Sequence, residues 1–94
     1  SVANVEGNIS SIRVYPNPLS GSAIINVEAV VSHPAYVEAT LLNAQGELME
    51  KQNIQFVSGE NTLQFNGSSL ASGIYFVKLS AGSLVSTTRF TVLK

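Results

Sequence analysis

Hydrophobic residues alternate with polar ones along much of the chain, and this period of two predicts β-strands. Three stretches alternate most clearly, over residues 23–31, 36–43 and 74–79. The positions predicted to face a core are Ile25, Val27, Ala29, Val37, Ala39, Leu41, Tyr75, Val77 and Leu79. The intervening positions, among them Thr40, Leu42 and Lys78, are predicted to face outward.

The end of the chain has the pattern of a β-hairpin. A β-branched and aromatic stretch, Ile74 to Leu79, leads into a turn at 80–83, and a second strand returns over 84–93. On the returning strand, Thr88, Phe90 and Val92 are predicted to join the core face. Gly73 is expected to open the hairpin.

Four further segments complete the predicted architecture. Ile12 to Tyr15 is expected to begin the folded region, because 1–11 is polar and without a period, and prolines 16 and 18 end that strand. The polar stretch 50–53 interrupts 47–57, which predicts an edge strand or a bulge. A short strand includes Leu63 and Phe65, and Leu70 anchors the crossover after it. About seven strands predict an all-β antiparallel sandwich, immunoglobulin-like, with a small barrel as the alternative.

Length and charge limit the classes of function. The 94 residues suit one domain, and five basic against six acidic residues give a net charge of −1, so a nucleic-acid partner is not expected. No apolar run reaches the roughly 20 residues of a membrane helix, and the first residues do not resemble a signal peptide, so no membrane insertion is expected. The chain begins without methionine, so we read it as part of a longer protein.

The side chains that carry chemistry are sparse. There is no aspartate and no cysteine, and the one histidine, His33, stands beside a proline in a predicted loop, so we predict no catalytic residues. Glu60 and Asn61 offer two oxygen ligands for calcium. Because calcium sites usually contain several acidic side chains, we interpret this segment as a solvated turn instead. We predict no cofactor and no metal. Tyr36 is expected to be half-buried rather than part of a sugar-binding platform.

Four motifs occur in a specific order: VYPNPLSG at 14–21, LLNAQGELM at 41–49, LASGIYFVKL at 70–79 and TTRFTVLK at 87–94. Their succession resembles the C-terminal sorting domain, type A, of substrates of the type IX (Por) secretion system. The resemblance spans about 12–94, which is nearly the whole chain. It assigns the sorting motif to Tyr15, Pro16, Asn17, Pro18, Gly46, Leu70, Gly73, Ile74, Tyr75, Phe76, Val77, Thr88, Arg89, Phe90, Thr91, Val92, Leu93 and Lys94.

The resemblance implies a seven-stranded sandwich that directs an attached cargo protein through the outer-membrane translocon. It also implies a sortase-like surface peptidase that cuts in the linker before Tyr15, so that the cargo is attached to the cell surface or released. Residues 1–11 are then the linker from a preceding cargo domain, and 12–94 are the sorting domain. The translocon is expected to add a strand to the terminal edge, which also allows an edge-strand dimer. The alternative function is a non-catalytic adhesion or carbohydrate-binding module.

Overall fold

The computed structural model describes residues 9–20, 24–82 and 84–94, and these form seven β-strands. Their bounds are β1 (Ile9–Tyr15), β2 (Ile24–Val31), β3 (Ala35–Asn43), β4 (Leu48–Phe56), β5 (Gly59–Asn66), β6 (Gly73–Ala81) and β7 (Leu84–Val92). Within these ranges no helix is long and apolar enough to cross a membrane. Residues 1–8 of the predicted linker 1–11, the segment 21–23 where the predicted strand 23–31 begins, and the predicted turn residue Ser83 lie outside the described residues.

The strands form two antiparallel sheets that face each other. One sheet has three strands in the order β1-β2-β5, and the other has four in the order β4-β3-β6-β7. The chain changes sheet between β2 and β3, between β4 and β5, and between β5 and β6. This arrangement confirms the predicted immunoglobulin-like sandwich and excludes the barrel, because among the described residues no strand of one sheet is paired with a strand of the other.

The core lies between the two sheets and follows the predicted alternation. The buried positions include Ile25, Val27, Ala29, Val37, Ala39, Leu41, Phe56, Leu63, Phe65, Leu70, Tyr75, Val77, Leu79, Phe90 and Val92. Thr88, the remaining predicted core position, is half-buried. Burial of these side chains supplies most of the favourable free energy of such a fold, since each buried Val, Leu, Ile or Phe contributes about 1.5–3 kcal/mol.

Strand β4 fulfils both expectations for the polar stretch 50–53. It forms an edge of the four-stranded sheet, and its register with β3 shifts between the pairs Leu41–Glu50 and Leu42–Leu48, which makes Met49 the extra residue of a bulge. The inward-facing Gln52 lies at this rim, and its amide nitrogen donates to the carbonyl oxygen of Gln64 in β5, 2.6 Å away. A polar residue is therefore tolerated there because it links the two sheets.

Two predictions about individual positions are wrong, and a third position faces outward as predicted but is buried. β1 begins at Ile9, earlier than the predicted start near Ile12, because the ladder with β2 already pairs Ile9 with Val31. Thr40 lies on the outward face but is buried, since Lys51 and Lys78 flank it in the register and its hydroxyl donates to the carbonyl of Lys78 at 3.3 Å. Tyr36 is 65% exposed rather than half-buried.

Candidate functional site

The segment after β1 lies along the outer edge of β7. The Leu19 amide donates to the carbonyl of Thr91 at 2.7 Å, and the Leu93 amide donates to the carbonyl of Leu19 at 2.9 Å. The side-chain oxygen of Asn17 accepts from the Thr91 amide at 3.1 Å. We call residues 16–19 the strap. It brings the first and the last of the four motifs into direct contact.

The final residue is held by the crossover between β5 and β6. The Lys94 ammonium donates to the carbonyl of Ser68 at 2.9 Å, and the Lys94 amide donates to the hydroxyl oxygen of Ser72 at 2.9 Å. The same crossover buries Leu70, whose amide donates to the carbonyl of Gly67. The predicted anchoring role of Leu70 in the core is confirmed.

Aromatic packing links β6 to β7 beneath the strap. The rings of Tyr75 and Phe90 stack with centroids 5.8 Å apart, and both side chains are buried. The Tyr75 hydroxyl donates to the carbonyl of Ala71 at 2.8 Å, so its polar end is satisfied. Val77 faces Thr88 two positions further along the same ladder.

The four motif segments meet at one end of the sandwich. Gly73 is paired with Val92, and Tyr75 with Asn43, which begins the β3–β4 turn that contains Gly46. A shallow groove at this end is lined by residues of that turn and by Ser72 and Ile74. Motifs that are distant in sequence therefore form one continuous region.

The outer edge of β7 is only partly covered. In an antiparallel ladder the backbone amide and carbonyl of each residue point to the same side, and the side alternates along the strand. Thr91 and Leu93 point toward the strap, so Val85, Thr87 and Arg89 present their backbone groups at the same edge. Within the described chain no strand is hydrogen-bonded to this edge of β7, although parts of β1 and β7 lie close together. The expected open edge is thus confined to 85–89.

Several residues of the predicted motif face outward rather than into the core. Ile74, Phe76 and Arg89 lie on the outward face of the four-stranded sheet, with Phe76 paired to Arg89. Ile74 is 43% exposed, and Phe76 is half-buried. The Arg89 side chain is exposed and makes no ion pair within the described residues. These side chains are available to a partner.

The residues considered for chemistry lie elsewhere. His33 is exposed in the β2–β3 loop, where its Nδ1 lies 3.1 Å from the Ser32 hydroxyl. The Asn61 side-chain oxygen accepts from the Val57 amide, and its amide nitrogen donates to the carbonyls of Val57 and Gly59. Asn61 therefore closes its own turn. Among the described residues, no three His, Cys, Asp or Glu side chains lie close enough together to hold a metal ion.

Sequence reasoning missed Leu19, Ser68 and Ser72. Leu19 follows the two prolines, yet it is 1% exposed and forms a parallel bridge with Val92. An isolated leucine directly after Pro-Asn-Pro in an otherwise polar turn was the available signal. The sequence contains no such signal for the serines, because Ser68 contributes only its backbone carbonyl and Ser72 only its hydroxyl.

Comparison with known proteins agrees with this geometry. The model of a family described as "Secretion system C-terminal sorting domain" matches residues 13–93. A β-glucosidase from Listeria innocua, solved in complex with glucose, has a similar fold over 89% of this chain and 16% of its own, with a TM-score of 0.55 and 11% identity. That likeness concerns the fold alone. The search of curated proteins found no match.

Proposed function

Because the chain belongs to the secretion system C-terminal sorting domain family and is a type IX sorting signal, we propose that the outer-membrane translocon recognises it along 85–89 of β7. The observation that carries this proposal is the division of the β7 edge. The strap occupies Thr91 and Leu93, whereas the backbone groups of Val85, Thr87 and Arg89 remain open. An open edge is the surface to which an extended peptide adds as a further strand.

The strap determines which part of the terminal strand is available. Three hydrogen bonds hold it to Thr91 and Leu93, so a partner that paired with those residues would first have to displace it. Pairing with 85–89 costs no native hydrogen bond. The translocon therefore recognises the first half of β7, while the second half stays hydrogen-bonded to the strap.

Export to the cell surface or the medium follows from the family, and cleavage is a further part of the proposal. We propose that the sortase-like surface peptidase cuts on the N-terminal side of Ile9. From Ile9 onward the backbone is in the β1–β2 ladder, and a peptidase needs an extended backbone free of such pairing. The domain itself acts as a signal and not as a catalyst.

Substitution of Thr87 tests strand addition without removing a core residue. In Thr87→Pro the outward amide is lost while the ladder with β6 is kept, because the amide of residue 87 points away from β6. We expect a reporter fused to this chain to lose export. Thr87→Val keeps the amide and serves as the control. Both variants are checked for folding by thermal unfolding, and normal export of a folded Thr87→Pro variant would refute the proposal.

A further inference from the structure

Apolar side chains form a continuous row on the outward face of the four-stranded sheet. Leu48 of β4 is paired with Leu42 of β3, which is paired with Phe76 of β6, and Ile74 lies on the same face two residues before Phe76. Leu48 is 57% and Ile74 43% exposed. We call these four residues the apolar row. It lies at the end of the sandwich where the motifs meet.

The neighbouring row on the same face is entirely polar. It runs across the four strands through Lys51, Thr40, Lys78 and Thr87. Isolated exposed apolar residues are common on protein surfaces, but adjacent ones across several strands mark interaction sites. The apolar row is therefore a surface that a partner covers.

The charges around the apolar row are mainly positive. Arg89 stands at its β7 end, directly opposite Phe76, and Lys78 follows in the next row. Glu38 is the acidic residue that the described strands place on this face, and its carboxylate lies 3.4 Å from the Lys51 ammonium. Glu47, in the turn at this end, accepts a hydrogen bond from the Asn43 amide nitrogen at 2.8 Å. Arg89 and Lys78 form no ion pair within the described chain.

From this arrangement we infer a docking site for an extended partner segment that carries apolar side chains and carboxylates. The apolar side chains cover Leu42, Leu48, Ile74 and Phe76, and a carboxylate pairs with Arg89. We choose a partner with carboxylates because of charge complementarity. An uncharged or basic segment would bury the apolar row and leave the neighbouring Arg89 guanidinium without a counter-charge. The inference rests on the proposed function, because the partner segment belongs to the export machinery. The apolar row then gives that machinery a second contact beside the β7 edge.

Peptide binding tests the chemistry of the site on the 94-residue chain. Three short peptides are titrated into protein labelled at leucine and isoleucine methyl groups: one alternates Leu with Glu, one Leu with Lys, and one Ser with Glu. We expect the Leu–Glu peptide to shift the methyl signals of Leu42, Leu48 and Ile74, and to bind at least about tenfold more tightly than the other two. In Arg89→Glu the preference should change to the Leu–Lys peptide.

Three results would overturn the inference. In the titration they are the absence of methyl shifts, and equal binding of the Leu–Glu and Leu–Lys peptides. The third comes from sedimentation and is a dimer of the chain that Leu48→Glu dissociates, because a second copy then covers the apolar row.

An export assay separates this inference from the proposed function. Leu48→Glu places a carboxylate in the apolar row, while Val57→Glu is a matched control, because Val57 is 59% exposed and lies after β4, away from the row. We expect export to fall only for Leu48→Glu. If Leu48→Glu is exported normally while Thr87→Pro is not, the docking site is refuted and the edge proposal stands. If Thr87→Pro is exported normally, the edge proposal is refuted, and the peptide titration alone decides whether the apolar row is a docking site.

Discussion

Single residues of the predicted sorting motif have different structural roles. Tyr75 fills the core with its ring and satisfies its hydroxyl at Ala71, whereas Asn17 is exposed and acts through one oxygen that accepts from the Thr91 amide. Both stabilise the terminal hairpin. The predicted motif therefore combines residues that build the terminal strand with residues, such as Arg89, whose side chains are exposed.

Asn17 allows the strap to be weakened without a change in the core. We expect Asn17→Ala to lower the free energy of unfolding by about 1 kcal/mol, because the Thr91 amide loses its acceptor. Hydrogen exchange of the Thr91 amide should become faster. Asn17→Asp keeps an acceptor oxygen at the same place and should preserve the protection. Urea unfolding and amide exchange measure both quantities, and unchanged protection of Thr91 in Asn17→Ala would contradict the expected role of the strap.

At the scale of elements, the β3–β4 turn shows how local chemistry sets the register. The Gly46 amide donates to the carbonyl of Asn43 at 2.9 Å, and the Asn43 side-chain oxygen accepts from the amides of Gln45 and Glu47. Gly46 has φ of +85°, which L-residues with a Cβ rarely adopt. The turn thus has glycine at its fourth position, and the bulge at Met49 follows it directly.

Substitution of Gly46 separates backbone strain from crowding. A Cβ at Gly46 would meet nothing within 4 Å, so Gly46→Ala should cost about 1–2 kcal/mol through its positive φ alone. Gly46→Asn should cost less, because asparagine tolerates this conformation. Equal costs for Ala and Asn at position 46 would contradict this account.

At Gly67 a Cβ would lie 3.0 Å from side-chain atoms of both Ile25 and Leu19, so Gly67→Ala should cost about 1–3 kcal/mol by crowding the core.

The sequence predicts elements better than it predicts contacts between them. Alternation is a local property, so it identified the core faces of β2, β3 and β6 and the edge character of β4. The strap could not be found in this way, because the contact between Asn17 and Thr91 joins residues 74 positions apart. Burial of Thr40 likewise depends on which residues of β4 and β6 the register sets beside it. The predicted sorting motif was assigned by resemblance to a family. That its segments meet at one end of the sandwich is visible only in the fold.

At the scale of the whole molecule, the last strand is both part of the fold and the surface proposed for recognition. β7 contributes Phe90 and Val92 to the core, while the strap and the crossover hold Thr91, Leu93 and Lys94 from outside. Loss of export after a long C-terminal deletion would therefore not distinguish a lost signal from a lost fold.

Two truncations distinguish these cases. Removal of 90–94 takes Phe90, whose loss alone costs about 3–5 kcal/mol, together with Val92, and this approaches the roughly 5–15 kcal/mol that stabilises a domain of this size. We expect that variant to be unfolded by circular dichroism and to fail in export. Removal of only Leu93 and Lys94 takes one strap bond and two bonds to the crossover, about 1 kcal/mol each, so the domain should stay folded with a lower urea midpoint. Because the edge at 85–89 is intact in this shorter truncation, its export should persist. A folded protein that fails in export would instead place recognition in the last two residues.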